Sequence, residues 1–188
     1  MVPRVCYLSP LMPSIRASAR YARALQATAE LLGKLRIDAM YVGNVARAAW
    51  LGLEVDSGAI DLLALMNAPQ KGQLAMMASN RGFRVEREEI EQSEELDLVP
   101  INFVDAEGDV RVHVLLASNA LYARMFAAGH AATIGERDVK VASPEDLALM
   151  LLMADDDETV KRLTALPEFN RDAFRERLAS IGLGAAAP

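Results

Sequence analysis

Apolar residues recur along the chain with two different spacings, and these spacings predict a mixture of helices and strands. Apolar side chains three and four residues apart predict helices at 13–35, 45–51, 69–80, 120–128, 158–166 and 170–181. Short apolar runs rich in β-forming residues predict strands at 39–42, 59–66, 83–87, 98–104, 110–116 and 139–142. This order predicts an α/β (α+β) fold with a small mixed central sheet, flanking helices and a helical C-terminal part.

Turn and capping residues define several boundaries between these elements. Gly43 and Asn44 directly follow a predicted strand and predict a tight turn. Gly108 stands between acidic residues and two apolar runs, which predicts a β-hairpin. Ser143 and Pro144 have the side chains that favour the cap and the first turn of a helix, so a further helix is expected to begin there.

One acidic side chain interrupts the most apolar strand. Residues 59–66 are otherwise continuously apolar, which is typical of a central strand covered on both faces. Burying an unpaired carboxylate costs several kcal/mol, so Asp61 must either line a cleft or have a partner. Two roles follow for Asp61, a position in a binding pocket or a structural hydrogen bond.

Composition and charge restrict the class of protein. With 52% apolar and 24% charged residues, the chain is expected to be globular rather than disordered. Its net charge of −6 disfavours nucleic acid as a partner of the whole surface. Cys6 is the only cysteine, so no internal disulfide forms, and we expect it to be a small buried or half-buried apolar residue. The acidic segment 88–95 predicts a solvated turn or helix end, and 185–188 a frayed tail.

The chain length predicts one domain. We expect residues 1–188 to form a single domain, with a core at about 35–142 and C-terminal helices at about 143–182. These helices are expected to pack on the core, because the segment is too short to bury a core of its own. The longest apolar stretch, 147–154, is too short to span a bilayer, and no signal peptide is recognisable. A cytoplasmic protein without a membrane partner is therefore expected.

Four short segments occur in an order that is specific when they are taken together. They are a glycine turn at 43–44, a short helix ending at Gly52, a strand segment with an acid at 55–61, and the sequence Val-Lys-Val-Ala-Ser-Pro-Glu-Asp-Leu at 139–147. This order resembles the nucleotidyltransferase fold, and most closely the minimal family that includes the abortive-infection (AbiEii-type) toxin nucleotidyltransferases. The resemblance spans about residues 35–165 and implies the fold of that family.

Several positions that are functional in that family hold other residues here. In the family, a segment Arg-x-Thr-x-Asp-x-Asp places two acids on a central strand, a later strand supplies a third acid, and the downstream helix continues into a Lys. The corresponding residues of this chain are Val55, Ser57, Ala59 and Asp61 for the first segment, His113 for the third acid, and the apolar residues 149–152 for the Lys. Only Asp61 remains at an acid position, so the resemblance implies the fold while most of the catalytic carboxylates are missing.

These losses affect the metal chemistry directly. Nucleotidyl transfer uses Mg²⁺, which prefers several oxygen ligands, and two acids at i and i+2 of a strand supply them from one face. Asp56 is an odd number of residues from Asp61 and is expected to point the other way. His113 is a poor ligand for Mg²⁺. A zinc or manganese site on Asp61 and His113 would need further ligands, and the chain has only one other histidine, His130. We therefore expect no cofactor and no metal.

The resemblance and the losses lead to one preferred function and two alternatives. The preferred interpretation is a binding or regulatory module that has lost nucleotidyl transfer and binds a nucleotide, an RNA end or a protein partner. One alternative is an active, toxin-like nucleotidyltransferase, acting on RNA or protein with Mg²⁺ and a nucleoside triphosphate, with atypical ligands from Asp61 and Glu54, Asp56, Glu107 or Asp109. The other is a structural or oligomerising protein. The pocket candidates, expected to line one concavity, are Gly43, Asn44, Ser57, Asp61 and His113.

Overall fold

The structure, a computed structural model, describes residues 13–86, 91 and 97–183. Its strands are β1 Ser14–Ala17, β2 Asp38–Tyr41, β3 Glu54–Val55, β4 Ile60–Leu65, β5 Phe83–Arg84, β6 Leu98–Phe103, β7 Val110–Leu116, β8 His130–Ile134 and β9 Arg137–Val141. Its helices are α1 Ala19–Lys34, α2 Gly43–Leu51, α3 Ala68–Ser79, α4 Ala120–Ala128, α5 Pro144–Met153, α6 Asp157–Thr164 and α7 Arg171–Ser180. Cys6, the tail at 185–188 and the acidic segment 88–95, apart from Glu91, lie outside the described residues.

The strands form one mixed sheet, as predicted. Its order is β3-β1-β8-β9-β2-β4-β7-β6-β5. The strand with the buried acid, β4, lies between β2, which is antiparallel to it, and β7, which is parallel to it. β6 and β7 form the predicted hairpin, since they pair antiparallel on either side of Gly108. The sheet is wider than the predicted strands alone would make it.

The predicted helix at 13–35 is wrong at its start. Residues 14–17 form β1, which pairs parallel with both β3 and β8, and the helix begins only after Ser18. The Ser18 amide donates to the Val55 carbonyl at 3.0 Å, so this part of the backbone is committed to the sheet. Ile15 is buried in the strand. A buried apolar residue is equally compatible with a helix, so the apolar pattern did not distinguish the two elements at this position.

Two further differences concern the sheet edges and the hairpin before α5. β8 was not predicted, and it pairs antiparallel with β9 around Gly135, whose φ of +58° suits a tight turn. β8 contains two adjacent alanines and lacks the alternation that identifies a strand, so its extended backbone depends on pairing with β9 and β1. The predicted strand at 83–87 is shortened to β5, where it pairs with the end of β6.

Helices cover both faces of the sheet. Tyr41 and Leu62 pair across β2 and β4 and share one face, and the Tyr41 hydroxyl donates to the Leu25 carbonyl of α1 at 3.5 Å. This face lies under α1, which also contacts α3. Because neighbouring strand residues alternate, Asp61 points to the opposite face, where α2 packs on β4.

The C-terminal helices stack on the α2 side of the sheet. α5 contacts α2, α6 and α7, and α6 also contacts α2. Ser143 caps α5, since its Oγ accepts from the Asp146 amide at 3.1 Å, and Pro144 occupies the first turn, as the sequence predicted. Within the described residues, no helix combines the length and the hydropathy needed to cross a bilayer.

Candidate functional site

Asp61 and His113 lie side by side in the middle of the sheet. They are register partners across the parallel pair β4 and β7, so their side chains project from the same face. Asp61 Oδ1 and His113 Nδ1 are 2.9 Å apart, which is a hydrogen bond between the two groups. About a quarter of each side chain is exposed, 26% for Asp61 and 28% for His113. The acid therefore has the hydrogen-bond partner expected for it, and its side chain also borders solvent.

Gly43 brings the start of α2 against the other oxygen of Asp61. Gly43 has a φ of +53°, and a Cβ atom there would lie 2.5 Å from Asp61 Oδ2. Only glycine meets both conditions, because other residues rarely adopt this conformation and would collide with the carboxylate. The Val42 amide donates to the Asp61 carbonyl at 2.9 Å and fixes this approach. The carboxylate thus lies at the positive end of α2, which stabilises its charge.

Asn44 and Ser57 lie together in a neighbouring concavity. This concavity has a volume of about 30 Å³, enough for about one water molecule, and its lining includes Asn44, Arg47, Asp56 and Ser57. The Ser57 hydroxyl donates to Asp56 Oδ1 at 2.9 Å. The five pocket candidates therefore fall into two adjacent groups, one around Asp61 and one around Ser57, and the consecutive residues Gly43 and Asn44 connect them.

A tyrosine and a glycine hold the loop before β4 in place. The Tyr21 hydroxyl donates to the Gly58 carbonyl at 2.6 Å. Gly58 has a φ of +78°, and a Cβ atom there would collide with the Asn44 amide nitrogen. The loop that carries Ser57 therefore packs closely on the first turn of α2, beside the small concavity that Asn44 and Ser57 line.

Two of the acids that could supplement Asp61 in a metal site, Glu107 and Asp109, have other partners. Glu107 pairs with Arg23 of α1 at 3.5 Å, and Asp109 pairs with Arg84 at 2.6 Å. In the part of the chain that the structure describes, no group of three or more His, Cys, Asp or Glu side chains is placed to hold a metal ion. The oxygen-rich ligand set that Mg²⁺ requires does not fit these residues.

Val55 and Leu149, at positions where the resemblance implies an Arg and a Lys, are part of the core. Val55 is 3% exposed and Leu149 is 1% exposed. Both side chains are apolar and packed, so neither position presents a cation to a bound phosphate. Ala59, at the position of the first acid, is half-buried and adds no polar atom.

The segment 143–147, which is part of the sequence that carries the resemblance, has a structural role here. Asp146 is fully buried and accepts from Arg177 Nε at 2.6 Å and from the Ser143 hydroxyl at 2.8 Å. Glu145 is also buried and accepts from the Asn170 amide at 2.6 Å. The two acids connect the start of α5 to α7, a contact that no local sequence signal identified, because Arg177 lies on a separate helix.

A larger groove lies outside the predicted site. It has a volume of about 460 Å³ and runs between α1 and the β8–β9 hairpin, where Leu25, Gln26 and Ile134 contribute to its lining. Sequence reasoning missed this groove because β8 was not predicted.

Comparison with known proteins supports the fold assignment. No protein-family model and no curated protein sequence matches the chain. Among solved structures, an antigenic nucleotidyltransferase-like protein from Paracoccidioides brasiliensis is similar, with a TM-score of 0.53 and 15% identity over 88% of each chain. The Cid1 poly(U) polymerase is a more distant match, with a TM-score of 0.36 and 14% identity over 55% of this chain and 33% of that one. The similarity to the first of these two structures supports a mixed α/β fold of the nucleotidyltransferase type for this chain.

Proposed function

We propose that this nucleotidyltransferase-fold protein has lost metal-dependent nucleotidyl transfer and acts as a binding or regulatory module for a nucleotide or an RNA end. The observation that carries the proposal is the hydrogen bond of 2.9 Å between Asp61 and His113. In the family that the sequence resembles, both positions hold metal-binding carboxylates. Here one of them is an imidazole that engages the remaining acid.

Charge considerations support the same proposal. One carboxylate position is Ala59, another is His113, and the positions of the Arg and the Lys are apolar core. Loss of a single electrostatic stabiliser commonly costs about 10²–10³ in rate, and this site lacks several at once. Such a site still retains hydrogen-bonding groups, at Asn44, Asp61 and His113, beside the start of α2.

Thermal unfolding with nucleotides tests the binding half of the proposal. A ligand at a hundredfold excess over its Kd stabilises the folded state by about 2.7 kcal/mol, which raises the melting temperature measurably. We expect stabilisation by at least one nucleoside triphosphate or short RNA in EDTA, with no further increase on adding Mg²⁺. Stabilisation that requires Mg²⁺ would favour the active nucleotidyltransferase, and an absence of any shift would favour a purely structural protein.

A labelling assay tests the loss of transfer. The wild type, incubated with the four labelled triphosphates, Mg²⁺ or Mn²⁺, and pooled RNA and protein acceptors, should incorporate no label. The double variant Ala59→Asp with His113→Asp should at most regain binding of divalent metal, because the cationic positions are still apolar. Label incorporation by the wild type that disappears in Asp61→Asn would contradict the proposal.

A further inference from the structure

We propose that Asp61 and His113 form a dyad in which the Nε2 atom of His113 is a general base for metal-independent hydrolysis of phosphodiesters. The phosphodiester class rests on the proposed function, in which the protein binds a nucleotide or an RNA end. The proton-accepting role rests on the geometry of the two side chains alone.

The hydrogen bond determines which nitrogen of His113 carries the proton. An ionised carboxylate can only accept hydrogen bonds, so His113 Nδ1, 2.9 Å from Asp61 Oδ1, must be the donor. In the neutral imidazole, Nε2 then has no hydrogen and presents a lone pair. Asp61 is therefore the positioning residue, which holds the ring in this tautomer and stabilises the positive charge that the ring acquires on accepting a proton.

The Nε2 atom is accessible. Within the described residues, His113 has a hydrogen bond through Nδ1 only, and no buried side-chain nitrogen or oxygen lacks a partner. An unpaired Nε2 is therefore not enclosed by the protein, in agreement with the 28% exposure of the side chain. A water molecule or a hydroxyl of a ligand can reach it.

The surroundings of the dyad suit an anionic phosphodiester. The positive end of α2 lies beside Asp61. A base beside a helix start can activate water near a bound phosphate without a metal ion.

The reaction balances without a further reactant. His113 Nε2 removes a proton from water, the water oxygen forms a bond to phosphorus, and the bond from phosphorus to the leaving oxygen breaks. The products are a phosphomonoester and an alcohol, and the proton held by Nε2 passes to the leaving oxygen or to solvent. Nitrophenolate leaves without protonation, so a nitrophenyl phosphodiester requires only the base.

The chain contains an internal control for the imidazole chemistry. His130 is exposed and contacts Trp50 edge-on with ring centroids 5.2 Å apart, and within the described part of the chain it has no carboxylate partner. In nitrogen-15 NMR spectra of the wild type at a pH where both rings are neutral, we expect a protonated Nδ1 for His113. The Asp61→Asn variant should lose this preference, while the spectrum of His130 should not change. A proton on Nε2 of His113 in the wild type would overturn the proposal.

Hydrolysis of bis(p-nitrophenyl) phosphate in EDTA tests the activity itself. The wild type should release nitrophenolate above the buffer rate, and His113→Gln should lower the rate by about 10²-fold, in the range typical of a general base. Asp61→Asn should lower kcat with little change in KM, and His130→Gln should retain the wild-type rate. No release above the buffer rate, or an unchanged rate in His113→Gln, would overturn the proposal.

The two proposals fail in different ways. Nucleotide-induced stabilisation without hydrolysis would leave the binding module and remove the dyad chemistry. Hydrolysis that depends on His113, without stabilisation by any nucleotide or RNA, would support the dyad and contradict the ligand class of the proposed function.

Discussion

Replacing Arg177 by Met should destabilise the protein strongly, because it leaves a buried charge without its partner. Asp146 is fully buried, and the Arg177 side chain that pairs with it is only 14% exposed. Breaking a buried ion pair by removing one partner costs about 3–5 kcal/mol, since the remaining charge stays desolvated. For a protein of this size, each kcal/mol lowers the melting temperature by about 2–4 °C, so a fall of about 6–20 °C is expected.

Tryptophan fluorescence provides the assay. Trp50 is the only tryptophan of the chain, and its Nε1 donates to the Ala142 carbonyl at 2.8 Å, just before α5. Urea unfolding followed by this signal reports on the region where α2 meets the start of the C-terminal helices. The matched control is Arg175→Met on the same helix, because Arg175 is 66% exposed and its pair with Asp172 should contribute little.

A second variant separates the charge from the packing. Combining Asp146→Asn with Arg177→Met replaces the unpaired carboxylate by a neutral amide, which can still accept from the Ser143 hydroxyl. We expect the double variant to be more stable than Arg177→Met alone. A loss below about 1 kcal/mol in Arg177→Met, or a double variant less stable than the single one, would refute the role of the buried charge.

Two other substitutions test local features of the structure. Gly43→Ala should lower the free energy of unfolding by more than about 1 kcal/mol, because the added Cβ would collide with Asp61 and the φ of Gly43 is positive. The control Gly33→Ala should not lower it, because no atom lies within 4 Å of the added Cβ. Urea unfolding compares the two variants. The hydrogen bond from Arg23 lowers the pKa of Asp105 from 3.8 to about 2, so this pair stabilises the protein above pH 3.8 and the stabilisation is lost as the pH falls towards 2. Arg23→Gln should therefore lower the melting temperature at pH 7, and the difference from the wild type should shrink below pH 3.8; a constant difference would contradict this.

The start of the chain shows where the hydrophobic pattern was insufficient. Residues 14–17 continue the apolar spacing of α1, yet they form a strand because β3 and β8 offer backbone partners on both sides. Whether this segment is helix or strand depends on hydrogen bonds to residues far along the chain. β8 itself, with its two alanines, was missed for the same reason.

The candidate site was predictable in its parts but not in its arrangement. The sequence indicated that Asp61 needs a partner or a cleft, and the resemblance aligned His113 with a neighbouring strand. The hydrogen bond between Asp61 Oδ1 and His113 Nδ1 depends on the register of β4 and β7, which brings together residues 52 positions apart. The close approach of Gly43 to the same carboxylate likewise requires the packed position of α2.

The sequence by itself determined the local features of this protein. The cap at Ser143, the hairpin around Gly108 and the apolar run of β4 depend on residues within a few positions of one another, whose spacing is visible in the chain. Only the tertiary structure decided which groups satisfy the buried charges, as the pair of Asp146 with Arg177 shows. A buried carboxylate requires a partner for physical reasons, but any of many distant donors meets that requirement, and only the packing of the helices and the sheet selects one.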